Sequence, residues 1–129
     1  MTLIDSNIII YAAKPEYPSL RQFIIENVPA VSAVSYVEVL GYHRLTDDER
    51  RYFEAFFTFA SVLPISDAVL LEAVRIRRQR KMPLGDALVA GTALVHGLTL
   101  VMRNTKDFDG VDGLSLLNPF LAGNRDLLG

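Results

Sequence analysis

Four acidic residues, Asp5, Glu38, Asp86 and Asp107, each stand where the sequence pattern switches from one element to the next. They are too far apart in sequence to form a local motif. If a fold gathers them, their carboxylates repel one another, and a hard divalent cation such as Mg²⁺ or Mn²⁺ is the natural counter-charge for an all-oxygen donor set. A metal held that way activates water, and a second about 3.5–4 Å away stabilises a leaving oxygen, which is phosphodiester hydrolysis. Each acid also has a purely local reading. Ser35-x-x-Glu38 matches a capping box, and Asp86 beside Gly85 would complement a helix dipole. Asp5 would cap a helix after a strand, and Asp107, within Lys106-Asp107-Phe108-Asp109-Gly110, would shape a turn.

The elements that must position these acids alternate between strand and helix. Thr2-Leu3-Ile4 is short and apolar, as expected of a buried parallel strand, and Asp5 or Ser6 would cap a helix over Ile8 to Ala13. Helical spacing resumes over Leu20 to Glu26, and Pro29 to Ala33 is the second strand. Ser35 to about Arg44 and Thr46 to about Ala60 are predicted helices, the second opened by a Thr46/Glu49 capping box. Its Phe53, Phe56, Phe57 and Phe59 fall at helical spacing and are expected in the core or an interface. Ser61 to Ile65 is a third strand, placed at an edge by Pro64. A helix capped by Ser66 or Asp67 runs to about Lys81, and another opens at Pro83-Leu-Gly-Asp86 and stops at Gly97. Leu98 to Met102 and Leu114 to Leu117 are the last strands. The small residues Ala87, Ala90, Gly91 and Ala93 suit close approach of their helix to a sheet. This order predicts a three-layer α/β/α domain with a central, mainly parallel sheet of four to five strands, spanning residues 1–129 as one unit. Ligand sites of such sheets gather beyond the carboxyl ends of the strands, and all four acids would face that edge.

Bulk properties narrow the classes further. Of 129 residues, 50% are hydrophobic and 22% charged, a balance that favours a packed core over disorder. There is no cysteine, so disulfides, zinc thiolates and redox dithiols are excluded. The two histidines, His43 and His96, are too far apart for an HExxH-type site. The first ten residues contain Asp5 and Asn7 and no basic leader, so neither a signal peptide nor a membrane span is expected, and a soluble cytoplasmic protein is. With a net charge of −2, nucleic-acid binding would need a local basic patch or a bound cation. Arg75-Ile-Arg77-Arg78-Gln-Arg80-Lys81 is the single basic cluster, readable as a phosphate-binding face or as a solvated helix C-terminus.

Taken in order, Leu3-Ile-Asp5-Ser-Asn7, Ser35-x-x-Glu38, Asp86-Ala-Leu-Val-Ala90-Gly-Thr-Ala93, Leu100-Val-Met-Arg-Asn104-Thr-Lys-Asp107-Phe108 and Leu117-Asn-Pro119-Phe120 resemble PIN-domain ribonucleases, specifically the VapC-type toxins of toxin–antitoxin pairs. The resemblance runs over almost the whole chain. It implies that Asp5, Glu38, Asp86 and Asp107 form the family's acidic quartet binding Mg²⁺ or Mn²⁺, with Asp109 and Asp112 as nearby alternatives for the fourth position. Ser6 falls where a small hydroxyl residue would orient a carboxylate or phosphate, and Asn104 where a polar residue would fix the fourth acid's loop. Arg103, Lys106, Arg80 and Lys81 are the candidate RNA contacts. The implied partners are an RNA substrate, a small cognate antitoxin that obstructs the acidic site, and a second copy of the chain. Tyr36 to Tyr42 and Tyr52 to Phe59 offer helical surface for that packing. A dehalogenase-like phosphatase would want Asp-x-Asp where this chain has Asp5-Ser6-Asn7, and a receiver domain would want adjacent acids, so both fit poorly. A non-catalytic PIN-like scaffold binding RNA or protein is the remaining alternative.

Overall fold

A computed structural model describes residues 1–121, so the part of the single-domain expectation that covers residues 122–129 lies outside the described residues. Five strands, β1 (Thr2–Ile4), β2 (Pro29–Ser32), β3 (Ser61–Leu63), β4 (Thr99–Val101) and β5 (Leu116–Leu117), form one sheet in the order β3-β2-β1-β4-β5. Every pairing is parallel, with Leu3 opposite both Ala30 and Leu100 and Ile4 opposite Val101. Because side chains alternate along a strand, Leu3, Ala30 and Leu100 enter one core, while Ile4, Val31 and Val101 enter another on the opposite face. Helices α5 (Asp67–Gln79) and α6 (Leu84–His96) cover the first face; α1 (Ser6–Ala12), α2 (Pro18–Glu26), α3 (Ala33–Leu40) and α4 (Asp47–Phe59) bring side chains to the second. The three-layer arrangement expected from the pattern is therefore present, and no helix among the described residues is long and apolar enough to cross a membrane.

Strand order matters most for function. From β1 the chain steps outward through β2 to β3, then returns past β1 to place β4 and β5 on its other side. The sheet thus reverses direction between β1 and β4, and in such sheets the crevice outside the strand carboxyl ends opens at that reversal. Asp5 leaves β1 into this crevice, its amide donating to the Val101 carbonyl at 3.0 Å and so tying the ends of the two strands together.

Several boundaries differ from the sequence expectation for identifiable reasons. Helix α3 starts two residues early because Ser32 caps it, accepting from the Val34 amide at 3.0 Å, and it ends at Leu40, before Arg44. Ser35 is consequently buried inside the helix, and the Ser35/Glu38 capping box does not exist. The Thr46/Glu49 box does, with both reciprocal bonds at 3.0 and 3.1 Å. Helix α5 stops at Gln79, with Ser66 as its cap. Strand β3 ends at Leu63, at the sheet edge that Pro64 suggested. Gly91 serves helix against helix rather than helix against sheet: a Cβ there would lie 3.0 Å from the Val69 carbonyl oxygen and 3.3 Å from the Ala73 nitrogen of α5. Gly97 closes α6 at φ +64°, a left-handed conformation that glycine adopts without cost. Phe53 and Phe57 are buried, whereas Phe59 is exposed.

Candidate functional site

Each of the four acids is delivered by a different element. Asp5 is the residue between β1 and α1, extended at φ −70° and ψ 153°. Glu38 lies in α3, Asp86 in the first turn of α6, and Asp107 in a 3₁₀ turn (Thr105–Phe108) that follows β4. That turn is anchored by Phe108, a core residue that is 3% exposed. Helix α3 lies in contact with the start of α6 at Gly85, where a Cβ would sit at ordinary packing distance, 3.8 Å from Glu38 Oε2 and 3.7 Å from Val34 Cγ1.

Electrostatics show which acids meet. Burial raises the Asp5 carboxyl from 3.8 to about 6, with the charges of Asp86 and Glu38 adding to the rise. The amides of Asn7 and Ser6 pull the other way, although the Asp5 side chain makes no regular capping hydrogen bond. Asp86 is also raised, first by burial and then by Asp107 and Glu38. Asp86 therefore feels two other acids, Asp107 and Glu38, and of the candidates for the fourth position it is Asp107 whose charge reaches it. Among the described residues, no lysine or arginine forms an ion pair with any of the four. Asp5 and Asp86 are part-buried and Glu38 and Asp107 exposed; carboxylates that repel one another without a cationic partner are poised for an external positive charge.

Two further contacts fix the carboxylates. Ser6 Oγ, buried at the start of α1, lies 2.9 Å from both Glu38 Oε1 and Ser35 Oγ. A hydroxyl carries one proton, so the consistent arrangement is Ser35 donating to Ser6 and Ser6 donating to the carboxylate. Glu38 is thereby oriented from α1, not from its own backbone. Asn104 Nδ2 donates to Asp107 Oδ2 at 3.0 Å and holds the turn's acid in place.

The donor set suits a hard divalent cation: four carboxylates, no sulfur and no imidazole. Among the described residues, no three or more acidic or histidine side chains are placed so that together they could hold a metal ion. That spacing is compatible with an ion that keeps several waters and takes only one or two carboxylates directly, as Mg²⁺ does.

The basic residues divide more unevenly. Arg80 is turned inward: its Nη1 donates to the Asp109 carbonyl and its Nη2 to the Asp107 carbonyl at 3.3 Å, while its buried Nε has no partner. It straps the 3₁₀ turn rather than reaching outward. Arg75 pairs with Glu72 at 2.8 Å and Arg77 Nε donates to the Met82 carbonyl. Lys81 is exposed beside Arg77 and Arg78 on a groove of about 570 Å³ whose lining includes none of the four acids. Lys106 is exposed on the 3₁₀ turn itself. Arg103 lies over the rings of Phe120 and Tyr11, at 4.6 and 5.1 Å from their centroids. Sequence reasoning missed Ser35 as the bridge to Ser6, and missed Tyr11 and Asn118, which approach Arg103 from distant parts of the chain. Polar Asn118 next to Pro119 was a signal that something specific is built there; Tyr11 carried none.

Comparison with known proteins gives a PIN domain model matching residues 2–114. The chain is 28% identical over 129 residues to "Ribonuclease VapC1" of Rickettsia felis, covering 89% of this chain and 93% of that protein. It is 29% identical over 122 residues to the "tRNA(fMet)-specific endonuclease VapC" of Shigella flexneri, covering 87% and 92%. A solved "Toxin-antitoxin complex from Klebsiella pneumoniae" contains a chain that superposes with a TM-score of 0.75 at 26% identity, covering 93% of this chain and 98% of that one.

Proposed function

The chain belongs to the PIN-domain family, and from that premise we propose that it is a metal-dependent endoribonuclease, the toxin of a toxin–antitoxin pair, acting through Mg²⁺ or Mn²⁺ at Asp5, Glu38, Asp86 and Asp107. The observation that carries this reading is the electrostatic linkage of the four acids at the sheet reversal, with Asp86 between Glu38 and Asp107 and Asp5 answering to both Asp86 and Glu38. The relatives named as ribonuclease and endonuclease support RNA as the substrate class.

Asp5 is the central ligand of the proposal, with Asp86 and Asp107 completing the protein's share. A bound Mg²⁺ or Mn²⁺ supplies a lower pKa for water and a charge that offsets the phosphate's. Glu38, held by Ser6, either ligates or accepts a proton from the attacking water; its exposed position on α3 leaves it within reach of solvent. Asn104 keeps Asp107 directed at the site. Lys106 and Arg103 are the RNA contacts this arrangement favours, because both lie on the segment between β4 and Asp107. Lys81 would act at longer range, and Arg80 acts by holding the turn.

The proposal includes a small cognate antitoxin and a homodimer. The toxin–antitoxin title of the Klebsiella neighbour supports the first. Exposed apolar side chains at Tyr36, Val37, Tyr42, Tyr52 and Phe59 on and beside α3 and α4 are surface of the kind such a partner covers. The full-length chain, purified free of antitoxin, should cleave RNA with Mg²⁺ or Mn²⁺ and stop on adding EDTA. Asp5→Asn should lose more than about 100-fold of that rate, beyond the 10–100-fold usual for residues that only support a metal site. Cleavage that persists in Asp5→Asn rejects the assignment, and a folded wild type that binds RNA without cutting it supports the scaffold alternative.

A further inference from the structure

Beside the acidic site is a second polar hollow of about 380 Å³, lined by Asn7, Tyr11, Arg103, Asn104 and Asn118. Its volume is within the range of about 300–1,000 Å³ typical of small-ligand sites. Two of its lining residues belong equally to the acidic centre: Asn104 holds Asp107, and the Asn7 amide faces Asp5. The hollow therefore shares a wall with Asp5 and Asp107. We propose that this hollow is a subsite for one nucleotide of single-stranded RNA next to the bond that is cut, with Arg103 binding its phosphate.

The argument rests on how Arg103 is held. Tyr11, Tyr17 and Phe120 form a three-ring edge-to-face cluster with centroids 5.3 to 6.0 Å apart. The Arg103 guanidinium lies over two of these rings, and Asn118 Nδ2 donates to the Arg103 carbonyl at 2.7 Å. Backbone and head group are thus both restrained, yet the residue is exposed, and among the described residues its guanidinium has no carboxylate partner. A stacked guanidinium keeps its outward N–H donors open and loses little freedom on binding phosphate. In a chain of net charge −2, a cation without a carboxylate partner beside Asn104 gives an RNA phosphate a local counter-charge that the chain as a whole does not supply. The Asn7 side chain and the Asn104 Oδ1 on the wall offer hydrogen-bonding groups to a ribose or to a splayed base edge, the mode in which single-stranded RNA is read. A stitch that merely secures the β5 segment would explain the ring stacking, but not the open cation or the shared wall.

The subsite rests on the nuclease reading only for which phosphodiester it flanks, and binding can be measured without cleavage. The probe is a mixed-sequence ten-nucleotide RNA, followed by fluorescence anisotropy with the full-length chain in EDTA, which withholds the proposed metal, across 50–200 mM salt. Arg103→Gln should weaken binding about tenfold and flatten the slope of log K against log salt by about 0.7, the share of one single-strand phosphate. Arg103→Lys should restore most of the slope. Equal thermal melting of the three proteins keeps a folding defect out of the comparison. Wild-type affinity and slope in Arg103→Gln, or no binding by the wild type, would overturn the subsite. If metal-dependent cleavage proceeds while Arg103→Gln changes nothing, the subsite fails and the nuclease reading stands. If the probe binds in an Arg103-dependent way but no RNA is cut, the subsite stands and the nuclease reading fails.

Discussion

Replacing Asp5 by asparagine should make the metal-free protein more stable at neutral pH while removing its activity. The Asp5 carboxyl is raised from 3.8 to about 6, chiefly by burial and secondarily by Asp86 and Glu38. A group whose pKa is higher in the folded state favours folding when protonated, so its relative contribution is best below the unfolded value and is lost as pH rises through the folded one. Below about pH 3.8 both states hold the proton and ionisation of Asp5 costs nothing. Between about 3.8 and 6 the unfolded state releases the proton first and the cost grows. Above about 6 it is constant. A tenfold change in proton affinity is worth about 1.4 kcal/mol, so the full cost is roughly 3 kcal/mol at pH 7.5 and about 0.5 kcal/mol at pH 4. Asp5 is half-buried rather than sealed, and residual solvent reduces the neutral-pH figure to about 1–2 kcal/mol. Asparagine keeps the shape and an oxygen for the Asn7 and Ser6 amides. Urea unfolding in EDTA should therefore show Asp5→Asn more stable by about 1–2 kcal/mol at pH 7.5, with most of that gain gone at pH 4. In thermal melts the neutral-pH gain is on the order of 3–8 °C. An Asn variant that is no more stable at pH 7.5, or that gains equally at both pH values, would refute the electrostatic reasoning.

Other substitutions separate the site from the scaffold. Ser6→Ala removes the hydroxyl that joins Ser35 to Glu38, leaving a buried serine without that partner; we expect a loss of about 1–2 kcal/mol by urea unfolding and a 10–100-fold slower cleavage. Gly91→Ala forces a methyl to 3.0 Å from the Val69 carbonyl, and the resulting clash should outweigh the helix-propensity gain, for a net loss of about 1 kcal/mol or more in unfolding. Thr46→Ala breaks a real capping box far from the acids and should cost about 1 kcal/mol in the same assay with the cleavage rate unchanged.

Much of the architecture was legible because it is written locally. Short apolar runs marked β1 and β4, and Thr46 with Glu49 announced α4. The same pattern misled at Ser35 and Glu38, since Ser-x-x-Glu is satisfied equally by a cap and by two residues inside a helix. What decided between them is non-local: Ser32 takes the cap, and Ser6, from another helix, claims both Ser35 and Glu38. The strand order was hidden for a similar reason, because parallel pairing joins segments with no adjacent turn to reveal them. The placement of Asp5 and Asp107 after strands and of Asp86 at a helix start was visible from the pattern, but Glu38 falls in the second half of α3 rather than its first turns; the linkage through Asp86 was not visible, since it depends on how closely α3, α6 and the 3₁₀ turn converge. Within the basic cluster, charge alone could not distinguish Arg80, which turns inward to carbonyls, from the exposed Lys81. Nor could any local signal connect Tyr11 to Phe120, which lies three residues beyond the strand that completes the sheet.

The central claim, that four dispersed carboxylates form one cation site, is tested most directly by titrating Mn²⁺ into the full-length wild type and into Asp5→Asn, Glu38→Gln, Asp86→Asn and Asp107→Asn, with free Mn²⁺ followed by electron paramagnetic resonance. The account predicts saturable binding in the wild type, with the greatest loss in Asp5→Asn and Asp86→Asn and a measurable loss in the other two. Wild-type affinity in Asp86→Asn, the acid that feels both Glu38 and Asp107, would contradict it.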